Sequence, residues 1–397
     1  ETWQRKGLIL NNLYRYEEAI ESYDKALSLN PVDPEILINK GISLDDLSKP
    51  EEALLCFEKA LEIEPTNEDA LFNKAITLEK TGRYQEAAKI FRFIVEGNPA
   101  NRDAWYELGF CYDFLDMPTE SLRCYDEHLN LDPYNYNAWY NRGIVLNRMA
   151  NYYRAVESYD MSLAIHENFP AAWYNKGNAY ANMGRLEEAT ECYRETLKSE
   201  EKDVPAWHNL GNAYEELGDY ELAIRAFTQA LKYDSRHYES YFGRGSCYDS
   251  LGQYRRALGD YNKALSLCGD YADLWYAKAD LLYNMGRVRD SVLAYKMVTK
   301  LEPTNYEAWI DYGETLFELG YVKQALKAFD KAVESNPVSA EPFYYRAKAL
   351  IVLNRTFEAI ESLKNSFTLN PEMQRMFEEE FPDAKSLKAF KKLLEKS

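Results

Sequence analysis

The chain has 397 residues, with 47 Lys and Arg against 65 Asp and Glu, a net charge of −18. That acidic balance argues against general binding to nucleic acid or anionic membrane, because neutralising phosphates needs a surplus of basic side chains, and it leaves attraction to basic partners open. No apolar run approaches the roughly 18 residues that a membrane-spanning helix needs.

Six cysteines stand at 56, 111, 124, 192, 247 and 268, with no Cys-x-x-Cys pair. They read as reduced core thiols, which implies a reducing, cytoplasmic compartment. Glu1 begins in mid-pattern without an initiating Met, so the chain reads as a fragment or a processed product, and a removed signal peptide stays open.

From its first residues the chain repeats itself every 34 positions. A Gly, or an Ala in its place, falls at 7, 41, 75, 109, 143, 177, 211, 245, 279, 313 and 347. Twelve residues after each comes a second small residue (Ala19, Ala53 and so on), and four further on a large ring such as Tyr23, Phe57 or Tyr159, with Leu363 in the last copy. Each copy predicts two helices. In the sixth, Trp173, Gly177 and Tyr180 share one helical face, Met183-Gly184-Arg185 breaks the helix, and a second helix starts at Leu186. The small residues let the two helices approach, and the rings fill the space beside that contact. In the fourth copy Ser121 and His128 replace the usual small residues, which predicts a locally wider hairpin. Pro31, Pro65, Pro99, Pro133, Pro303, Pro337 and Pro371 close seven copies. The fifth to eighth copies carry Glu167, Glu201, Ser235 and Gly269 instead, leaving the end of their second helix open by a residue or two. Residues 374–397 form a degenerate unit whose Leu387, Phe390, Leu393 and Leu394 lie on one helical face opposite lysines. This suits a helix that caps the last apolar face, the alternative being a basic helix that binds a ligand.

The pattern of Trp, Gly and Tyr, then Ala, a ring, Ala and Pro at a 34-residue period resembles the tetratricopeptide repeat. The resemblance implies an all-α, right-handed solenoid of eleven helix-turn-helix units over residues 1–373, with a degenerate repeat and capping helix at 374–397. A long superhelical array of this kind is similar to the repeat domain of O-GlcNAc transferase.

No constellation of catalytic residues accompanies the repeat. The four histidines are scattered over different repeat positions, Gly243-Arg244-Gly245 lies inside a helical pattern and is no phosphate loop, and no ligands cluster for a metal. The expectation is a non-enzymatic protein without cofactor. Numbering each copy so that its Gly is position 8, the family's inner face comes from positions 2, 5, 6, 9, 12 and 13. Position 6 carries Asn39, Asn73, Asn141, Asn175 and Asn209, and position 9 adds Asn178 and Asn212. A side-chain amide both donates and accepts, so such a series can pair with the backbone of an extended peptide; it resembles the asparagine ladder of the O-GlcNAc transferase repeats. Position 5 carries rings, among them Tyr106, Tyr140 and Tyr174, which offer large contact area at low entropic cost. In the tenth copy Glu307, Asp311, Glu314 and Glu318 form one acidic stripe, joined by Asp280 of the ninth, and like charges at that spacing destabilise a helix by themselves.

Chaperone-binding family members grip a C-terminal carboxylate with bases at positions 2, 5 and 6. Here positions 2 and 5 carry no Lys or Arg and position 6 only Arg5, so heat-shock chaperone tails are not expected partners. The sequence therefore predicts a protein-interaction scaffold that binds an extended basic peptide in its concave groove, away from nucleic acid and membrane. Two other readings are a substrate-recognition domain of a larger enzyme and a self-assembling structural subunit.

Overall fold

The computed structural model describes residues 2–382 and Phe390. Each copy folds as a helical hairpin, and among the described residues there are no strands. Residues 1–201 and 202–397 form two compact units. The first contains α1 (Thr2–Asn12) and α2 (Tyr16–Leu29), α3 (Pro34–Asp46) and α4 (Pro50–Ile63), α5 (Glu68–Lys80) and α6 (Tyr84–Gly97), α7 (Arg102–Phe114) and α8 (Pro118–Leu131), α9 (Tyr136–Arg148) and α10 (Tyr152–Ile165), and α11 (Pro170–Asn182) and α12 (Leu186–Ser199). The second contains α13 (Val204–Glu216) and α14 (Tyr220–Tyr233), α15 (Tyr238–Ser250) and α16 (Tyr254–Leu267), α17 (Ala272–Asn284) and α18 (Val288–Leu301), α19 (Tyr306–Glu318) and α20 (Val322–Ser335), and α21 (Ala340–Val352) and α22 (Thr356–Leu369), followed by α23 (Glu372–Glu380). This is the all-α solenoid class that the repeat predicts.

The hairpin geometry follows from three recurring residues. A Cβ on Gly143 would sit 2.5 Å from the Tyr159 ring, so a side chain there would force the ring or the helix to shift. In the fourth hairpin the same test gives 3.2 Å between Gly109 and Tyr125, the wider spacing expected there. Ser121 fills the gap by donating to the Gly109 carbonyl at 2.8 Å. Buried His128 donates from Nδ1 to the Arg102 carbonyl and accepts at Nε2 from Asn135. Between the helices, position 15 has positive φ in every copy, for example 78° at Gly82 and 55° at Ala150. That single left-handed residue lets the next amide reach back five residues, as Arg83 does to the Leu78 carbonyl at 2.8 Å, closing the helix end.

The second helix ends at the same repeat position with or without the closing proline: α8 at Leu131, α10 at Ile165, α12 at Ser199, α14 at Tyr233 and α16 at Leu267. The opening tryptophan contributes to this regularity. Its indole N–H donates to the carbonyl six residues upstream, in Trp139 to Pro133, but equally in Trp173 to Glu167 at 3.2 Å and in Trp275 to Gly269 at 2.7 Å. A carbonyl past the helix end is thus satisfied whether or not proline provides it.

Five pairs of successive hairpins are also joined by an ion pair between a base at position 7 and an acid at position 25 of the preceding copy: Lys40 to Asp24, Lys74 to Glu58, Arg142 to Asp126, Lys176 to Asp160 and Arg346 to Asp330, at 2.5 to 3.0 Å. Five cysteines are buried, Cys268 is half-buried, and all six are free. Burial pushes the thiols of Cys124, Cys192 and Cys247 up to about 12, as expected of core groups. At the C-terminal end Phe377 is fully buried against Phe367, and its ring lies 5.8 Å from that of Phe390. Leu387, Leu393 and Leu394 of the expected capping helix lie outside the described residues. Among the described residues no helix is long and apolar enough to cross a membrane.

Candidate peptide-binding surface

In the first unit, the ring at position 5 of one copy meets the residue at position 6 of the next. The Tyr106 hydroxyl accepts from the Asn141 amide at 2.9 Å, and the Tyr140 hydroxyl from the Asn175 amide at 3.0 Å. Asn175 also donates to the Ala171 carbonyl of its own helix at 2.9 Å. Burial pushes the Tyr106 phenol up to about 12 and raises that of Tyr140. The same rings pack against the second-helix rings, Tyr106 at 5.8 Å from Tyr125 and Tyr174 at 6.0 Å from Tyr193. Over this stretch the asparagine series and the tyrosine series, read separately from the sequence, join into a single hydrogen-bonded ladder.

Where position 5 of the preceding copy carries no phenol, the ladder changes. Asn73 follows Ile38 and donates to the Asp69 carbonyl of its own helix at 2.8 Å. Asn39, half-buried on α3, follows Gln4. Glu107 occupies the asparagine position after Phe72 and meets Glu79 of the preceding copy. Burial first, and then the charges of Glu79 and Asp103, push the Glu107 carboxyl up to about 8, so it is protonated at neutral pH and bonded to Glu79. Asn178 accepts from the Tyr193 hydroxyl at 2.8 Å.

In the second unit Asn209 is half-buried on α13, and Asn212 reaches the Nε2 of His208 one turn earlier at 3.1 Å. Burial, reinforced by His237 with its ring 5.0 Å away, pushes His208 down to about 4 and keeps it neutral. Further along, the inter-repeat slot recurs with its polarity reversed: the Tyr276 hydroxyl donates to the Asp311 carboxylate. One helix over, the Tyr295 hydroxyl donates to Asp280. Asp311, Glu314 and Glu318 line one cavity of about 390 Å³ together with Tyr283 and Tyr295. Burial raises the pKa of Asp280, Asp311 and Glu314; Asp280 adds to the rise at Asp311, and Lys348 opposes it at Glu314.

The structure thus gathers three of the five acidic residues singled out by sequence into one cavity wall, with Asp280 tied to it through Tyr295 and Glu307 outside its lining. Sequence reasoning missed Tyr283, Tyr295 and Glu380. The last accepts from the Tyr344 hydroxyl at 2.6 Å and pairs with Lys348 at 2.8 Å. A signal for Tyr295 was present: a tyrosine fifteen residues after a polar position 9 recurs as Asn178 with Tyr193 and as Asp280 with Tyr295.

Stacked hairpins of one pattern, whose first helices present amides, phenols and carboxylates, define a repeat scaffold of the protein-interaction class. The chain belongs to the tetratricopeptide repeat family: three repeat models match residues 1–33, 34–67 and 56–89, and a longer family model, described as the cilia and flagella-associated protein 70 C-terminal domain, matches residues 156–381, more than half of the chain. The family is generally one of non-catalytic interaction modules. No curated protein matches the chain. Among solved structures it is similar to MamA (22% identity over 41% of this chain and 94% of that chain, TM-score 0.40). It is also similar to YrrB, described as a TPR protein with an unusual peptide-binding site (23%, 48% and 97%, TM-score 0.44). A third similar structure is a tetratricopeptide repeat protein from Parabacteroides merdae (21%, 59% and 93%, TM-score 0.46).

Proposed function

We propose that the chain is a cytoplasmic, non-catalytic scaffold that holds an extended basic peptide along the first helices of its repeats. The observation that carries this reading is the cavity lined by Asp311, Glu314 and Glu318, with Asp280 beside it. Carboxylates held at a half-buried wall focus their field and attract cations more strongly than scattered surface acids. The amides and phenols of the first unit supply sequence-tolerant polar contacts to a peptide backbone. Their bonds to one another fix their geometry in advance, which lowers the cost of ordering them on binding.

The test uses a labelled Lys/Arg-rich peptide and its Glu-substituted counterpart as probes. Glu314→Gln with Glu318→Gln should slow association with the basic probe and flatten its salt dependence, since exposed charges are screened beyond roughly 8 Å at physiological ionic strength. Circular dichroism should stay native. Identical salt slopes for parent and variant would reduce the acidic wall to a solvated surface and overturn the basic-ligand reading.

A further inference from the structure

The ion pair that joins five pairs of successive hairpins is absent from others, as where Leu108 meets Arg92, and around the ninth copy two lysines stand in its place. Lys278 holds the basic position of α17, but the acidic position facing it in the eighth copy is Asn262. The acidic position of the ninth copy is itself a base, Lys296, and the tenth copy meets it with Tyr312. Lys176, the equivalent of Lys278 three copies earlier, lies 4.8 Å from the Trp173 ring and also pairs with Asp160 at 2.6 Å. Arg244, facing Thr228, recovers a carboxylate from Asp260 at 2.7 Å. Lys278 keeps only the aromatic contact, 4.9 Å from the Trp275 ring, and no carboxylate lies within ion-pair distance of it among the described residues. Burial, and then nearby Arg287, push its ammonium pKa down, as befits a cation without an acid. The neighbouring acid, Asp290, is already paired with Arg287 at 2.6 Å.

In place of the ion pair there is a cavity of about 840 Å³ between α16, α17, α18 and α19. That lies within the range of roughly 300–1,000 Å³ typical of ligand pockets. Its walls are apolar: the indoles of Trp275 and Trp309, with Leu293 and Met297 of α18. Lys296 and Lys300 alternate with those two residues at i, i+3, i+4 and i+7 from Leu293, so one face of α18 presents an apolar strip edged by cations. Leu293 is 65% exposed there, at a repeat position that carries a charge in most other copies, such as Glu157, Glu191, Arg225 and Lys327. At about 100° per residue, Lys278 and Tyr312 lie on faces of α17 and α19 opposite to Asp280 and Glu314, so this cavity is separate from the acidic one.

We propose that this cavity is a second docking site, for a short acidic segment of a partner protein that carries an aromatic or aliphatic anchor. The anchor enters between the two indoles, and a carboxylate of the segment takes the place of the missing repeat acid beside Lys278 and Lys296. The complementarity selects the occupant. A free inorganic anion would leave the apolar wall uncovered, and a second copy of this chain would bring a net charge of −18 toward another −18. A short acidic segment concentrates its charge on the basic rim alone.

The test pans random peptides displayed on phage against the full chain, with counter-selection on the Lys278→Glu/Lys296→Glu variant. The selected peptides should share an apolar or aromatic residue flanked by Asp or Glu. As synthetic peptides they should bind the variant at least tenfold more weakly, and replacing their acids with Lys should abolish binding. Because Lys278 is half-buried, a second variant, Leu293→Asp with Lys300→Glu, alters only exposed rim residues; it should lose affinity equally while its circular dichroism stays native. The proposal is overturned if no acidic-apolar consensus emerges, or if the selected peptides bind both folded variants as well as the parent. Self-association of the parent that disappears in the variants would also overturn it, by making the occupant a second copy.

Discussion

One slot in the repeat is built twice, once in each unit, with opposite chemistry. In the first unit the phenols of Tyr106 and Tyr140 accept hydrogen bonds from Asn141 and Asn175; in the second, the phenol of Tyr276 donates to Asp311. All three bonds join residues 35 apart, so the backbone frame is the same. The neighbouring position 9 follows suit. It is apolar through most of the first unit, with Ile42, Ile76, Phe110 and Ile144, and polar or charged in the second, with Asn212, Ser246, Asp280, Glu314 and Lys348. The repeat fixes where a phenolic tip lies, and the residue opposite it decides whether that stretch of surface is neutral or anionic.

The largest expected effect sharpens this comparison through pH, because one buried group in each unit, Glu107 and His208, titrates in the opposite sense to the other. Glu107 binds its proton more tightly folded, near pH 8, than unfolded, near 4.5. Its contribution is therefore fully present below about pH 4.5 and is lost as pH rises through 8. His208 is the reverse: with its folded value near 4 against 6.5 unfolded, its contribution is present above 6.5 and is lost as pH falls toward 4. Discounting for partial exposure and for the coupling of Glu107 to Glu79, each shift corresponds to about 2–3 kcal/mol. Protection factors from hydrogen exchange should fall in α7 and α8 as pH rises from about 4.5 to 8, and in α13 and α14 as it falls from about 6.5 to 4. Glu107→Gln should remove the first slope and His208→Gln the second. A slope that survives its own variant would assign the titration elsewhere.

How much of this was legible beforehand depends on what repetition alone can carry. The period, the close approach at Gly143 and the second-helix ring are visible because they recur at fixed spacing in a gap-free array. The ends of α10 and α16 were not, because proline is only the most visible of two devices: the ties from Trp173 to the Glu167 carbonyl and from Trp275 to the Gly269 carbonyl leave no mark in the sequence beyond the tryptophans themselves. The asparagines were legible as a series but not as partners of tyrosines. That needs the 35-residue offset, which sets position 5 of one copy against position 6 of the next. The missing acid at Lys278 was hidden for the same reason, since its pairing rule spans two copies, as in Lys176 with Asp160.

A smaller effect is expected from exchanging the slot chemistry. Asp311→Asn should keep the bond to Tyr276 with donor and acceptor reversed, costing less than about 1 kcal/mol of stability, and should weaken the Lys/Arg-rich probe a few-fold. Asn141→Asp should make the reciprocal change beside Tyr106. Chemical denaturation and probe titration of the two variants are the measurement. A cooperative loss of structure in either one would mean that the slot does not tolerate both chemistries, and that the units differ in backbone rather than in side chain.

The smallest effect concerns the turns, where the units differ again. All eleven hairpins turn on a left-handed residue at position 15. The second unit uses Gly218, Gly252, Gly286 and Gly320, with Asn354 at its last hairpin, whereas the first uses Gly82 and Gly184 but also Tyr14, Ser48, Asp116 and Ala150 at φ of 55° to 59°. A Cβ in that region crowds the following carbonyl by about 1–2 kcal/mol, partly offset because glycine loses more backbone freedom on folding. Ala150 is exposed, so Ala150→Gly removes the crowding without opening a cavity, and it should stabilise the fifth hairpin by about 0.5–1 kcal/mol. The reverse change, Gly286→Ala, places its Cβ where no atom lies within 4 Å, so any cost there is backbone strain alone. It should destabilise the ninth hairpin by a similar amount. Hydrogen exchange resolved to α9 and α10, and to α17 and α18, separates the two effects. Equal protection in parent and both variants would show that the left-handed turn costs an alanine nothing here, and that the glycines of the second unit serve no energetic purpose.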